Sequence, residues 1–134
     1  MNILIVEDDF ACRRLLQRCL AGYGDCDIAI NGIEAVDVFK AALDEGHPYD
    51  LICLDIMMPK MNGHQALEAI RQVETEHGIS GLDCVKVIMM TVLGDSRNVM
   101  DAFREGCVSY VVKPIDKQNV LNEVERLGFI SEKV

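Results

Sequence analysis

Acidic side chains gather at Glu7-Asp8-Asp9 and again at Asp55, each time directly after a short apolar run: Ile3-Leu4-Ile5-Val6 and Leu51-Ile52-Cys53-Leu54. Thr91 and Lys113 each close a further apolar run. Two carboxylates held ~4 Å apart repel by on the order of 4 kcal/mol at an effective dielectric of 20. If folding gathers these groups, they need a cation, and a few hard oxygen ligands suit Mg2+ or Mn2+. A lysine and a hydroxyl beside such a carboxylate are the parts that grip a phosphoryl group, offsetting its charge and donating a hydrogen bond. Singly, each residue has a plainer use. Acids after a strand often cap the next helix, a strand-end lysine is usually solvated, and a threonine there often serves a turn. Their joint placement is what points to chemistry.

The apolar runs at 3–6, 26–30, 51–54, 85–90 and 110–112 read as strands. All but 26–30 are continuously apolar apart from the Tyr110 hydroxyl, the pattern of strands covered on both faces. Between them the period becomes helical: Cys12, Leu15, Leu16, Cys19 and Leu20; Val36, Phe39 and Leu43; Leu67, Ile70 and Val73; Val99, Met100 and Phe103; Val120, Leu121, Val124 and Leu127. Gly22, Gly46, Gly106 and Gly128 stand where helices should stop, and Asp95 or Ser96 and Asp116 are suited to start them. Asn31-Gly32 reads as an ordinary turn after the second strand. Five β-α repeats predict an α/β fold, with helices on both faces of a mainly parallel sheet. Ligands then bind beyond the carboxyl ends of the strands, where the candidate residues lie.

Bulk properties narrow the partners. The chain has room for one domain with a real core, and 50% hydrophobic residues fit a folded protein. A net charge of −9 argues against direct contact with nucleic acid or an anionic membrane. No apolar run reaches the ~18 residues of a membrane span. The first residues lack a basic leader and run into three acids, so a cytoplasmic location is expected. The six cysteines, Cys12, Cys19, Cys26, Cys53, Cys84 and Cys107, form no C-x-x-C pair or zinc spacing and read as reduced core residues. His47, His64 and His77 are scattered and read as surface residues.

The segments 3–9 (ILIVEDD), 55–63 (DIMMPKMNG) and 110–113 with Pro114 (YVVKP), together with Thr91, resemble the receiver domain of bacterial two-component response regulators. Asn31-Gly32-Ile33-Glu34-Ala35 also matches the family's usual start of the second helix. The resemblance spans residues 1–128, with 129–134 as a short tail and no output domain expected. It implies a flavodoxin-like, doubly wound (βα)5 fold with a parallel five-stranded sheet in the order 2-1-3-4-5. It makes Asp55 the phosphoacceptor, taking phosphate from a phosphohistidine of a histidine kinase or histidine phosphotransfer protein. Asp8, Asp55 and the Met57 backbone carbonyl would hold Mg2+, with Glu7 acting through water. Thr91 and Tyr110 would move together as the switch, and Lys113, positioned by a cis bond to Pro114, would pair with the phosphate. Helices near 96–105 and 116–127 would form the output face toward an unknown downstream protein.

Such a protein is expected not to be an enzyme in the turnover sense, and to be a monomer or a phosphorylation-dependent dimer. A relay role, passing phosphate to another histidine, is the alternative to direct control of a target. A haloacid-dehalogenase-type phosphatase would need a second aspartate at position 57, which is methionine. A flavodoxin-like cofactor binder would need a phosphate-cradling loop after the first strand, where acids stand. Val92 replaces the small residue usual in the family after the switch threonine, with the expected effect of narrowing access to Asp55 or restricting Tyr110. Met57 and Leu93 are apolar where the family tunes loss of the phosphoryl group, so a long-lived phosphoryl-Asp55 is expected. The link 74–83 reads as a surface loop. Arg13, Arg14 and Arg18 form a basic strip on the first helix, either a solvated face or a dock for the phosphodonor.

Overall fold

A computed structural model describes residues 1–92, 96–104, 106–107 and 109–131. Leu93, Asp95, the side chains of Ser96 and Val99, and tail residues 132–134 lie outside the described residues. The elements alternate: β1 (Asn2–Val6), α1 (Phe10–Leu20), β2 (Asp25–Ala29), α2 (Gly32–Asp44), β3 (Leu51–Asp55), α3 (Gly63–Glu76), β4 (Lys86–Val92), α4 (Ser96–Arg104), β5 (Ser109–Lys113) and α5 (Lys117–Arg126). All strand pairs are parallel, in the order β2-β1-β3-β4-β5. This is the expected flavodoxin-like (βα)5 fold.

Side-chain alternation along buried strands builds two cores. Leu4, Val6, Ile52, Leu54, Val87 and Met89 face α2, α3 and α4, where Phe39, Leu67, Ile70 and Ala102 cover them. Ile3, Ile5, Cys53, Ile88, Met90 and Val111 face the other way, under Leu16, Leu20, Val120 and Val124 of α1 and α5. The six cysteines are all free, and Cys12, Cys19, Cys26, Cys53 and Cys107 belong to these apolar layers.

Local chemistry sets the helix starts. Asp9 accepts from the Ala11 and Cys12 amides, Asn31 from Glu34, and Asp116 from Gln118. Asn62 and Gln65 form a reciprocal capping box at α3. Asn31 therefore begins a helix rather than merely closing a turn. Gly46, Gly106 and Gly128 take positive φ beyond helix ends, but Gly22 is not among the positive-φ glycines. The peptide bond between Lys113 and Pro114 is cis.

Several boundaries differ from the sequence reading. The second strand starts at Asp25 and stops before Ile30, which is 47% exposed. Thr91 and Val92 are the last two residues of β4 rather than lying beyond it, because both continue the ladder opposite Val112 and Lys113. On α4, Met100 and Phe103 are 58% and 46% exposed, and Ala102 makes the core contact instead. His77 is exposed, as expected, and it also links two helices. Its ring meets the Val73 carbonyl at 2.8 Å and Asp44 Oδ1 at 3.3 Å, tying the ends of α3 and α2.

Gly63 is the tightest joint between fold and pocket. A Cβ there would stand 2.5 Å from the Asp55 carbonyl oxygen and 2.7 Å from Ile56 Cα, both backbone atoms. Gly63→Ala is therefore expected to destabilise the protein by about 1–3 kcal/mol, read as a lowered urea midpoint with an unchanged slope.

Candidate functional site

Three strands carry the core of the site. β1 ends at Val6, so Glu7 is the first residue past it; Asp55 and Lys113 are the last residues of β3 and β5. Since the strands are parallel, all three side chains arrive at the carboxyl edge. Lys113 Nζ lies 3.0 Å from Glu7 Oε2 and 3.2 Å from Asp55 Oδ1. Glu7 is fully buried and Asp55 is 3% exposed, while Asp8 is exposed. One carboxylate oxygen from each of Glu7, Asp8 and Asp55 falls within a group no wider than 4.8 Å.

Backbone amides hold the acids in place. Glu7 Oε1 accepts from the Asp9 amide at 3.0 Å, and Asp55 Oδ1 accepts from the Met57 amide at 3.2 Å. Glu7 Oε2 has only the lysine charge: among the described residues it is the buried side-chain oxygen without a well-formed hydrogen bond. One ammonium thus faces two buried carboxylates and a third nearby. The remaining negative charge and the orphaned oxygen are what a divalent cation would satisfy, and all-oxygen donors of this kind fit Mg2+. The residues present fit that ion.

Ionisation reflects the crowding. Burial, then the Glu7 charge, push the Asp55 carboxyl up to about 7, with Lys113 opposing them. Burial pulls Lys113 down, but its close contact with Glu7 and the charges of Asp55 and Glu7 outweigh it and hold the ammonium above its usual range. Cys12 sits beneath the site, where burial and Glu7 drive its thiol up to about 12. It is a protonated packing group.

The other expected residues fall around this centre. Thr91 is 3% exposed on β4, next to Met90, which pairs with Asp55. Tyr110 is paired with Met89, 40% exposed, and turned outward with its ring edge-on to Phe103 at 6.0 Å and 88°. Val92 lies opposite Lys113, 51% exposed. Met57 is 66% exposed. Arg14 and Arg18 are exposed on α1, but Arg13 turns back, donating to the Glu7 carbonyl at 3.2 Å. The guanidinium carbons of Arg13 and Arg14 stand 5.4 and 5.8 Å from the centroid of the exposed Phe10 ring. Sequence reasoning passed over Phe10. Its signal was an apolar residue directly after the acids, on the side of the helix away from the core stripe.

Fold and site together define a doubly wound α/β domain with an acidic, lysine-bridged pocket at the carboxyl edge of its sheet. The chain belongs to the response regulator receiver domain family, whose model matches residues 3–125. It is 32% identical over 125 residues to the chemotaxis protein CheY of Treponema pallidum, covering 92% of this chain and 79% of that protein. It spans only about half (56%) of a probable transcriptional regulator, ycf29, of Porphyra purpurea, at 30% identity. Among solved structures it resembles the CheX–CheY–BeF3–Mg2+ complex of Borrelia burgdorferi, with a TM-score of 0.80, 31% identity, and coverage of 95% of this chain and 88% of that one. It also resembles the complex of the Saccharomyces cerevisiae phosphotransfer protein Ypd1 with the receiver domain of Ssk1, at a TM-score of 0.81 and 26% identity, covering 96% and 88%. The family is one of two-component signalling domains.

The raised Asp55 carboxyl makes a signed prediction for the metal-free protein. Between its unfolded value and about 7, the folded state keeps a proton that the unfolded state releases, so stability falls as pH rises. Asp55→Asn removes that penalty. It is expected to stabilise the metal-free protein by on the order of 1–2 kcal/mol above pH 7, after discounting for solvent screening. The gain should vanish by about pH 4. Urea titrations of both proteins in chelator across that window check it.

Proposed function

We propose that the chain accepts a phosphoryl group on Asp55 from a phosphohistidine of a histidine kinase or histidine phosphotransfer protein, and that this modification changes a protein-binding face. The observation that carries the reading is Asp55 itself, nearly buried at a strand end with Lys113 Nζ 3.2 Å away and two further acids beside it. Asp55 Oδ1 already takes the lysine and the Met57 amide, so Oδ2 is assigned as the nucleophile. In transfer the Oδ2–P bond forms as the P–N bond to the donor imidazole breaks. The bonding pair leaves with the ring nitrogen, which is neutralised by a proton.

Asp8, Asp55 and the Met57 carbonyl, with Glu7 through water, would hold Mg2+ or Mn2+. When bound, the ion supplies charge that offsets the transferring phosphoryl oxygens. Lys113, already shared between two carboxylates, shifts its ammonium toward the new phosphoryl group. Thr91 donates its hydroxyl to a phosphoryl oxygen, and Tyr110, on the neighbouring strand, gives up its outward position in step. Differential contact with the phosphoryl group is then what moves the equilibrium. Met57 offers no group to orient an attacking water, which supports slow loss of the phosphoryl group.

The donor's docking surface is assigned to α1, where Phe10 stands 63% exposed beside the exposed Arg14, with Arg18 exposed further along the helix. The Ypd1–Ssk1 complex supports a phosphotransfer protein as the class of donor.

Intact-mass measurement with acetyl phosphate tests the chemistry. One phosphoryl group should be gained with Mg2+, none in chelator, and none on Asp55→Asn. Its decay should be slow and should speed up in Met57→Asn. A gain that survives Asp55→Asn would overturn the assignment. Arg13→Ala/Arg14→Ala/Arg18→Ala should slow transfer from a phosphorylated donor protein by at least tenfold and leave the acetyl phosphate rate within about twofold. Equal loss with both donors would assign the arginines to the pocket instead.

A further inference from the structure

A second buried charge lies at the opposite edge of the sheet. Glu74, near the end of α3, is 1% exposed. Its Oε2 accepts from the Val85 amide at 2.7 Å, and its Oε1 meets Arg71 Nη1 at 2.6 Å. The same guanidinium also donates to backbone. Nη1 reaches the Val85 carbonyl at 2.9 Å and Nη2 the Gly106 carbonyl at 2.6 Å. One arginine therefore joins α3, the residue before β4, and the segment between α4 and β5. Its planar fork suits such divergent acceptors, which a lysine cannot serve together.

Gly106 matches this arrangement twice. Its φ of 103° favours glycine, and a Cβ there would come 3.0 Å from Arg71 Nε. Its own amide donates to the Phe103 carbonyl at 3.2 Å, closing the last turn of α4, while Cys107 N donates to Ala102 O at 3.0 Å. Phe103 is the residue whose ring meets Tyr110. An unbroken physical path thus runs from the buried Glu74 through Arg71, Gly106 and Phe103 to Tyr110. It does not pass through the acidic pocket.

We propose that Arg71, oriented by Glu74, is a positioning residue for the switch face: by pinning the last turn of α4 it sets Phe103 against Tyr110 and weights the tyrosine's outward position. The inference rests on the reading of Tyr110 as a switch. A buried carboxylate is costly unless paired, so Glu74 holds the guanidinium in one orientation. That leaves α4 anchored at the edge away from Asp55, and a change at the Asp55 edge would have to work against this anchor.

The test uses the full chain labelled with 3-fluorotyrosine, without phosphodonor, followed by fluorine NMR and amide hydrogen exchange. The three tyrosines give three signals, and Tyr110→Phe assigns the one of interest. In Arg71→Met the Tyr110 signal should move and the Gly106 and Cys107 amides should exchange at least tenfold faster. Arg71→Lys keeps a charge for Glu74 but loses the second carbonyl, so it should show the same changes at smaller amplitude; it carries the test if Arg71→Met does not fold. Leu20→Ala, which loosens the core under α1, should lower the melting temperature without moving Tyr110. An unmoved Tyr110 signal in a folded Arg71 variant, or an equal movement in Leu20→Ala, overturns the proposal. Acetyl phosphate added to the wild type separates the two readings. A Tyr110 signal that follows Arg71 but ignores phosphorylation refutes the switch and leaves the anchor standing.

Discussion

One ammonium between two buried carboxylates is the constraint on which the rest of this structure depends. Lys113 stands about 3 Å from both Glu7 and Asp55, and neither acid has enough water around it to bear its charge alone. A pair of this kind gives little net stability, since desolvating the ions offsets most of their attraction. Its consequence is a site with an imbalance: one positive charge for three acids, and one carboxylate oxygen with no good donor. Such a site favours a cation, and on the proposed reading a bound cation readies it for a phosphoryl group.

The sheet exists, in functional terms, to deliver those groups to one edge. Parallel strands start and stop together, so β1, β3 and β5 place Glu7, Asp55 and Lys113 side by side although they are far apart in sequence. Both faces of β1, β3 and β4 are buried, which fixes register: a slip by one residue would exchange the two cores. The close approach of Gly63 to the backbone at Asp55 locks the loop after β3. Rigid positioning at this edge contrasts with the exposed Met100, Phe103 and Tyr110. These side chains leave apolar surface on α4 and β5, the face that the proposed switch would alter.

Much of this was legible in the residues. Continuous apolar runs gave the buried strands, and the change to a helical period gave the helices between them. The acids, Asp55, Thr91 and Lys113 stood at run ends, which is where a parallel sheet gathers ligands. Less legible were features set by packing. Thr91 and Val92 extend β4 because β5 offers them partners, a fact no local pattern contains. Met100 and Phe103 follow the period of a core stripe but lie outside the core, because α4 rests on Ala102. Glu74 and Arg71 are an ordinary i, i+3 pair in sequence; only the fold reveals that the glutamate is buried and that the arginine reaches two distant carbonyls.

Crystallising the protein with beryllofluoride and Mg2+ tests the central claim most directly. The expected structure has the fluoroberyllate on Asp55, Lys113 drawn off Glu7 toward it, the Thr91 hydroxyl in contact with a fluorine, and Tyr110 turned inward from its present 40% exposure. Beryllofluoride bound at Asp55 with Lys113 still bridging the two carboxylates and Tyr110 unmoved would contradict it, leaving an acidic pocket that binds the group without passing its charge on to the output face.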